Sequence, residues 1–258
     1  MKIQHVRNAT TLVTFGGKKF LVDPMLSDKE SFEGFPGTAR SEIRNPMVAL
    51  PLSIDTIVDV DAVIVTHLHP DHWDEVAINC VPKSLPFFAQ NEHDAEILQA
   101  QGFTNVSVLS DTSSFSSVSL IKTQGQHGSD RAYENPMMAE ILGDAAGVVL
   151  QHPSEKTLYL VGDTIWRDSV ERDYEKYEPG VVILNAGYAH ALGFGPIIMG
   201  KEDVLKTHFA LPDAQIVAVH LEAINHCLLS RDELREYVHA NQIDAFVSVP
   251  ADGESLNF

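Results

Sequence analysis

Hydrophobic residues fall into short runs separated by polar or glycine-containing breaks, and each run predicts an element. Thr11-Leu-Val-Thr-Phe15, Gly16-Gly17 and Lys18-Lys-Phe-Leu-Val-Asp23 read as two strands joined by a tight turn, because paired glycines accept the positive φ angles of primed hairpin turns. Further runs rich in β-branched residues predict strands over Ala62 to Val65, Val118 to Thr123, Gly147 to Gln151, Thr157 to Val161, Val181 to Leu184 and Ile216 to Val219. A helix is predicted from Glu92 to about Gln101, with Asn91 as N-cap and Gly102 past its end. Ser230-Arg-Asp-Glu233 has the form of a capping box opening a helix to about Asn241, before a last strand Ala245 to Val249. Between Pro24 and Thr56 periodicity is lost, and Gly34, Pro36, Gly37, Pro46 and Pro51 predict a long loop. Its Phe32 and Phe35 need something to bury against, so this loop is expected to cover a cleft or to contact another copy of the chain in a homo-oligomer.

At 258 residues and 44% hydrophobic content the chain reads as one domain, 1–258, with interspersed strands and helices implying mixed sheets covered by helices. No run approaches the roughly 18 apolar residues of a membrane span, and Met1 to Arg7 lacks the apolar segment of a secretory signal. A cytoplasmic location without membrane contact is expected. Cys80 and Cys227 are the only cysteines, which is no disulfide framework. Acidic residues outnumber basic ones 36 to 18 and give a formal charge of -18, which opposes polyphosphate partners, so nucleic acid is not expected.

Candidate chemistry concentrates in Thr66-His67-Leu68-His69-Pro70-Asp71-His72, directly after the apolar run Ala62 to Val65. In extended backbone, residues two apart project to one side, so His67 and His69 can converge on one ion. Asp71 and His72 lie past Pro70, where the pattern suggests a turn entering a helix, and are free to serve a second ion. Imidazole with carboxylate suits zinc, manganese or iron, zinc foremost. Polar residues also follow later strands: His127 after Val118 to Thr123, Asp163 after Thr157 to Val161, and His220 after Ile216 to Val219.

With these residues in order, the chain resembles the metallo-β-lactamase superfamily. Asp23 in Leu21-Val-Asp-Pro24 looks like the first motif, the string at 67 to 72 the second, and His127, Asp163 and His220 the third to fifth. The resemblance implies an α+β fold, an αββα sandwich of two mixed sheets flanked by helices, with a two-metal site at one sheet edge. It implies that His67, His69 and His127 hold one ion, that Asp71, His72 and His220 hold the other, and that Asp163 bridges them. Asp23 would sit behind a ligand imidazole and accept its N–H. The activity implied is that of a metal-dependent hydrolase, with Asp71 and Asp163 at the reacting centre and a shared hydroxide as nucleophile.

Paired ions form a positive spot in an acidic protein, so a small anionic ester, lactone or related metabolite is the expected substrate; in character the chain looks most like the cytosolic ascorbate-phosphate lactonase branch. His226, close after His220, is a candidate for substrate contact or proton donation. Arg131, four residues past His127, and Tyr188 and His190 in the glycine-rich segment after Val181 to Leu184 are candidate substrate contacts. Alternatives on the same scaffold are a phosphodiesterase or short-oligonucleotide nuclease, a di-iron redox protein, and a metal-stabilised binding protein without turnover.

Overall fold

A computed structural model describing residues 1–258 contains two seven-stranded sheets and a two-stranded ribbon. The first sheet is built from Lys2–Arg7, Thr10–Phe15, Lys18–Val22, Ala62–Val65, Phe87–Ala89 and Val106–Val108, with Ser255–Asn257 on its other edge. Antiparallel pairing through the hairpin gives way to parallel pairing from Lys18–Val22 onward. The second sheet runs from Ser114–Phe115 through Val118–Gln124, Ala146–Gln151, Leu158–Leu160, Val181–Asn185 and Gln215–Val219 to Val247–Ser248. It repeats the plan: its first strands are antiparallel, its last ones parallel.

The layer order follows from side-chain alternation. Val148, Leu150, Leu158, Leu160, Val181, Ile183, Val217 and Val219 face one core cluster, which they share with Ile3, Val13, Phe20, Val22 and Ile64 of the first sheet. Their neighbours Val149, Tyr159, Val182, Leu184, Ile216 and Ala218 face a second cluster. Helices Asp168–Tyr177, Lys201–Ala210 and Arg231–Ala240 close it with Val170, Tyr174, Val204, Leu234 and Val238. Val63 and Val65 look the other way, into a third cluster with Ala77, Ala95 and Leu98 of helices Glu75–Cys80 and Glu92–Ala100. Strands buried on both faces read as continuous apolar runs, and period-two alternation sorts them between helices outside and the opposing sheet inside. The result is the four-layer αββα sandwich.

Local signals explain most boundaries. Gly16 and Gly17 take φ of 57° and 74° in the hairpin turn, and the Asn91 side chain accepts from Asp94 N at 2.8 Å to start the helix Glu92–Ala100. Ser230 caps its helix by accepting from Glu233 N, but Glu233 reaches Lys201 instead of the cap, so the box is open on one side. The strand expected over Ala245 to Val249 is only Val247–Ser248, because Phe246 N and Val247 N bond back to Ile243 O in a turn, and a further strand, Ser255–Asn257, follows it. The loop expected through Thr56 ends where helix Ile54–Val58 begins, capped by Ser53.

Candidate metal centre

The ligand-type residues are gathered at one edge because their strands run in the same direction. Val118–Gln124 is antiparallel to Ala146–Gln151, which is antiparallel to Leu158–Leu160, and the latter is parallel to Val181–Asn185 and Gln215–Val219. The carboxyl ends that lead to His127, Asp163 and His220 therefore meet, and across the sandwich the end of Ala62–Val65 delivers His67.

Asp163 is the hub. Its Oδ2 lies 3.2 Å from His72 Nε2, 3.6 Å from His127 Nε2, 3.7 Å from His220 Nε2 and 3.9 Å from His67 Nε2. On one side of it His67 Nε2 and His69 Nδ1 are 3.0 Å apart, and these two form a group with His127 whose ligand atoms all lie within 4.8 Å. On the other side His72 Nε2 and His220 Nε2 are 3.1 Å apart, Asp71 Oδ2 is 3.3 Å from His220 Nε2, and these three form another such group. His69 alone among them is half-exposed.

The outward nitrogens have partners that fix each ring. His72 Nδ1 lies 2.9 Å from Asp23 Oδ2, whose two oxygens also accept from Thr66 N and Thr66 Oγ1, both at 2.7 Å. His127 Nδ1 faces the Ile197 carbonyl at 2.9 Å, and His69 Nε2 the Ile141 carbonyl at 2.8 Å. A ring that donates to an oxygen on one side presents a lone pair on the other. Asn185 donates to the second oxygen of Asp163 at 2.6 Å, leaving Oδ2 for the centre.

Titration agrees with a cation-binding cluster. Burial, and the neighbouring His72 and His69 imidazoles, hold His67 well below its ordinary value; burial takes His127 down to about 4. Both are neutral and ready to ligate. Burial opposes a charge on His72, but Asp163, Asp71 and Asp23 reverse it and raise the ring to about 10. Burial likewise works against ionised Asp71 and Asp163, yet the His72 and His220 imidazoles bring both carboxyls well below the usual range. Convergent imidazole nitrogens around a shared carboxylate oxygen make a donor set that could hold metal ions.

His226 is nearly buried beside this cluster, its Nδ1 has no partner, and its ring meets Phe35 edge-on at 5.2 Å. Burial pushes it down to about 4, so it is neutral at pH 7. The remaining candidates sit on neighbouring elements, and His190 N donates to the His226 carbonyl at 3.2 Å. The Arg131 guanidinium sits 6.0 Å from the Phe194 ring, on the exposed helix Asp130–Tyr133. Tyr188 packs on His190 with centroids 4.4 Å apart and lines a separate hollow with Lys201, Leu228 and Glu233. Gly187 beside them serves backbone packing: a Cβ there would stand 1.9 Å from His220 O. Asn8 and Thr66 carry no distinct signal in the sequence, whereas Asn185 ends its strand in the same way as the others.

A model of the beta-lactamase superfamily domain matches residues 18–221. The chain belongs to that superfamily. Within it, the UPF0173 protein YddR of Bacillus subtilis is 46% identical over the full length of both chains. Among solved structures of the superfamily fold, an isothiocyanate hydrolase from Delia radicum gut bacteria is 49% identical with a TM-score of 0.98, covering 100% of this chain and 99% of that one. A structure described as a possible metal-dependent hydrolase from Veillonella parvula is 44% identical with a TM-score of 0.99, over 100% and 99% of the two chains. Superfamily membership accounts for the order of the motifs.

Proposed function

We propose that this chain is a metal-dependent hydrolase that holds two divalent ions, zinc foremost, through His67, His69 and His127 on one side and Asp71, His72 and His220 on the other, with Asp163 between. The observation that carries this reading is Asp163 Oδ2 within 3.9 Å of four imidazole nitrogens drawn from both sides. Ions bound there would supply a hydroxide near neutral pH and polarise the electrophile. Asp23, Ile197 O and Ile141 O hold the ligand rings in one tautomer, and Asn185 keeps Asp163 turned inward. Neutral His226 offers a lone pair and an N–H to the substrate or to the departing group.

The full-length likeness to a protein named as an isothiocyanate hydrolase directs the substrate class toward a small, uncharged carbon electrophile. Phe35 against His226 supports an apolar tail, and the Arg131 guanidinium lies over the Phe194 ring. Water would add to the central carbon of R–N=C=S, the carbon–nitrogen bond would break, and both protons of that water would end on nitrogen, giving R–NH2 and COS. This replaces the anionic ester or lactone as the first choice. Elemental analysis under saturating metal should return close to two transition-metal ions per chain, and aryl and alkyl isothiocyanates should be consumed faster than lactones, esters and phosphodiesters. A single ion would overturn the paired centre, and preference for an anionic ester would overturn the substrate class.

A further inference from the structure

Asn8 stands in the two-residue turn that joins strands Lys2–Arg7 and Thr10–Phe15, just past a register shift between His5 and Arg7. It is fully buried and takes a left-handed φ of 57°, a conformation Asn tolerates better than most residues. Its hydrogen bonds, except the one to His5, lead to residues of the candidate metal centre. Its Nδ2 donates to the Asp71 carbonyl at 3.0 Å and lies 3.4 Å from His220 Nε2. Its own carbonyl accepts from His220 N at 2.9 Å and faces His5 Nε2 at 3.0 Å. Its Oδ1 is buried without a partner, so the amide is held by its donor side alone.

Asp71 and His220 come from opposite sheets and reach each other only at the edge. His220 itself has a left-handed φ of 63°, a strained backbone that needs a fixed partner to persist. Asn8 touches both residues and makes no bond to His67, His69 or His127. We propose that Asn8 is a positioning residue that locks Asp71 and His220 in ligating posture and thereby sets the affinity of the ion that these two hold with His72. The proposal rests on the two-ion reading above and predicts an asymmetry between the two positions.

The test is Asn8→Gly, which removes the amide yet keeps the left-handed backbone and its carbonyl, with Asn8→Ser as a second variant whose side chain is too short to reach Asp71 O. Zinc affinity is measured by chelator competition in the parent, in both variants, and in His69→Ala and His220→Ala, which mark the two positions. The position weakened in His220→Ala should lose about 10- to 100-fold in affinity in both Asn8 variants, as removal of a ligand's outer partner typically does. The position weakened in His69→Ala should stay within a factor of about 2, and melting of the metal-free protein should show a folded state. Equal loss at both positions, or none at either, overturns the proposal. If the parent binds one ion, the two-ion reading falls; Asn8 then keeps its role only if its variants and His220→Ala weaken that ion alike. Asn8 variants that melt below the parent yet bind zinc as the parent does would make Asn8 a structural residue only and overturn the proposal.

Discussion

The two sides of the metal centre are supported by different means. Around His127 and His69 the outer partners are main-chain carbonyls, Ile197 O and Ile141 O, presented by a loop and by the end of helix Pro136–Leu142. Around His72, His220 and Asp71 they are side chains: Asp23 on His72, the Cys227 thiol 3.3 Å from His220 Nδ1, and Asn8 on the Asp71 carbonyl. A carbonyl partner survives nearly any substitution at its residue, whereas a side-chain partner is lost with one codon. The first side, where only His67 leans on a side chain, the Thr66 hydroxyl 3.2 Å from its Nδ1, is therefore the more tolerant and is half-open at His69; the second is buried, charged and dependent on particular residues.

The sharpest way to break the contrast is at the residue the sides share. Asp163→Ala should remove both ions, with losses well beyond the 10- to 100-fold that follows loss of an outer partner. His220→Ala should remove one. Equal metal content in the two variants, read by elemental analysis after dialysis, would show that Asp163 is no bridge.

His226 comes next in size. A group acting in proton transfer contributes typically 10²- to 10⁴-fold, so His226→Ala should lower kcat by about that much with both ions retained. Loss of an ion would make it a ligand, and a changed KM alone would make it a binding contact. Its titration adds a pH signature. The folded ring titrates at about 4 against 6.5 ordinarily, so the folded chain binds fewer protons than the unfolded one between those values. Its contribution is present above pH 6.5 and is lost as pH falls toward 4. Between pH 7 and 4 the metal-free parent should lose up to roughly 3 kcal/mol relative to His226→Phe, measured by urea unfolding; parallel curves would mean that the ring is not held neutral.

A smaller effect tests the contrast directly. Asp23→Asn keeps the shape behind His72 but removes the charge, and should cost about 10- to 100-fold in metal affinity or activity. Ile197→Val on the other side leaves the carbonyl in place and should change stability by only about 0.5 to 1.5 kcal/mol, with metal content unaltered. Similar metal loss in both variants would erase the distinction between carbonyl and side-chain support.

The same contrast governs what was legible in the sequence. The string at 67 to 72 and the polar residues His127, Asp163 and His220 stand out because each follows an apolar run, and Asp23 because it closes the hairpin. The carbonyl partners carry no residue signature at all, since any residue could supply them. Asn8 lies in the two-residue turn between the first two strands, where no periodicity marks it. Strand Lys2–Arg7 pairs with Ser255–Asn257 from the far end of the chain, a contact that local pattern cannot announce. Helix Asp168–Tyr177 buries only Val170 and Tyr174 among charged neighbours, too thin an apolar stripe to mark it. The long loop was legible as a loop, but not its fixity: Asn225 accepts from Phe35 N and Asn45 Nδ2 and donates to Thr38 Oγ1 and the Ala39 carbonyl.

That clamp makes Phe35 a fixed wall on the His226 side, and its removal gives the smallest of these effects. The ring meets His226 edge-on, and such aromatic pairs are worth about 0.5 to 1.5 kcal/mol. Phe35→Ala should accordingly raise KM for an aryl isothiocyanate by about 2- to 10-fold, with kcat and metal content little changed, because Asn225 still holds the loop backbone. Across the centre, Ile141 is 57% exposed while its carbonyl is bonded to His69, so Ile141→Ala trims a side chain that faces solvent and should leave KM nearly unaltered. A larger rise in KM from Ile141→Ala than from Phe35→Ala would place the apolar tail on the open side, against His69, and would reverse the assignment of the two walls.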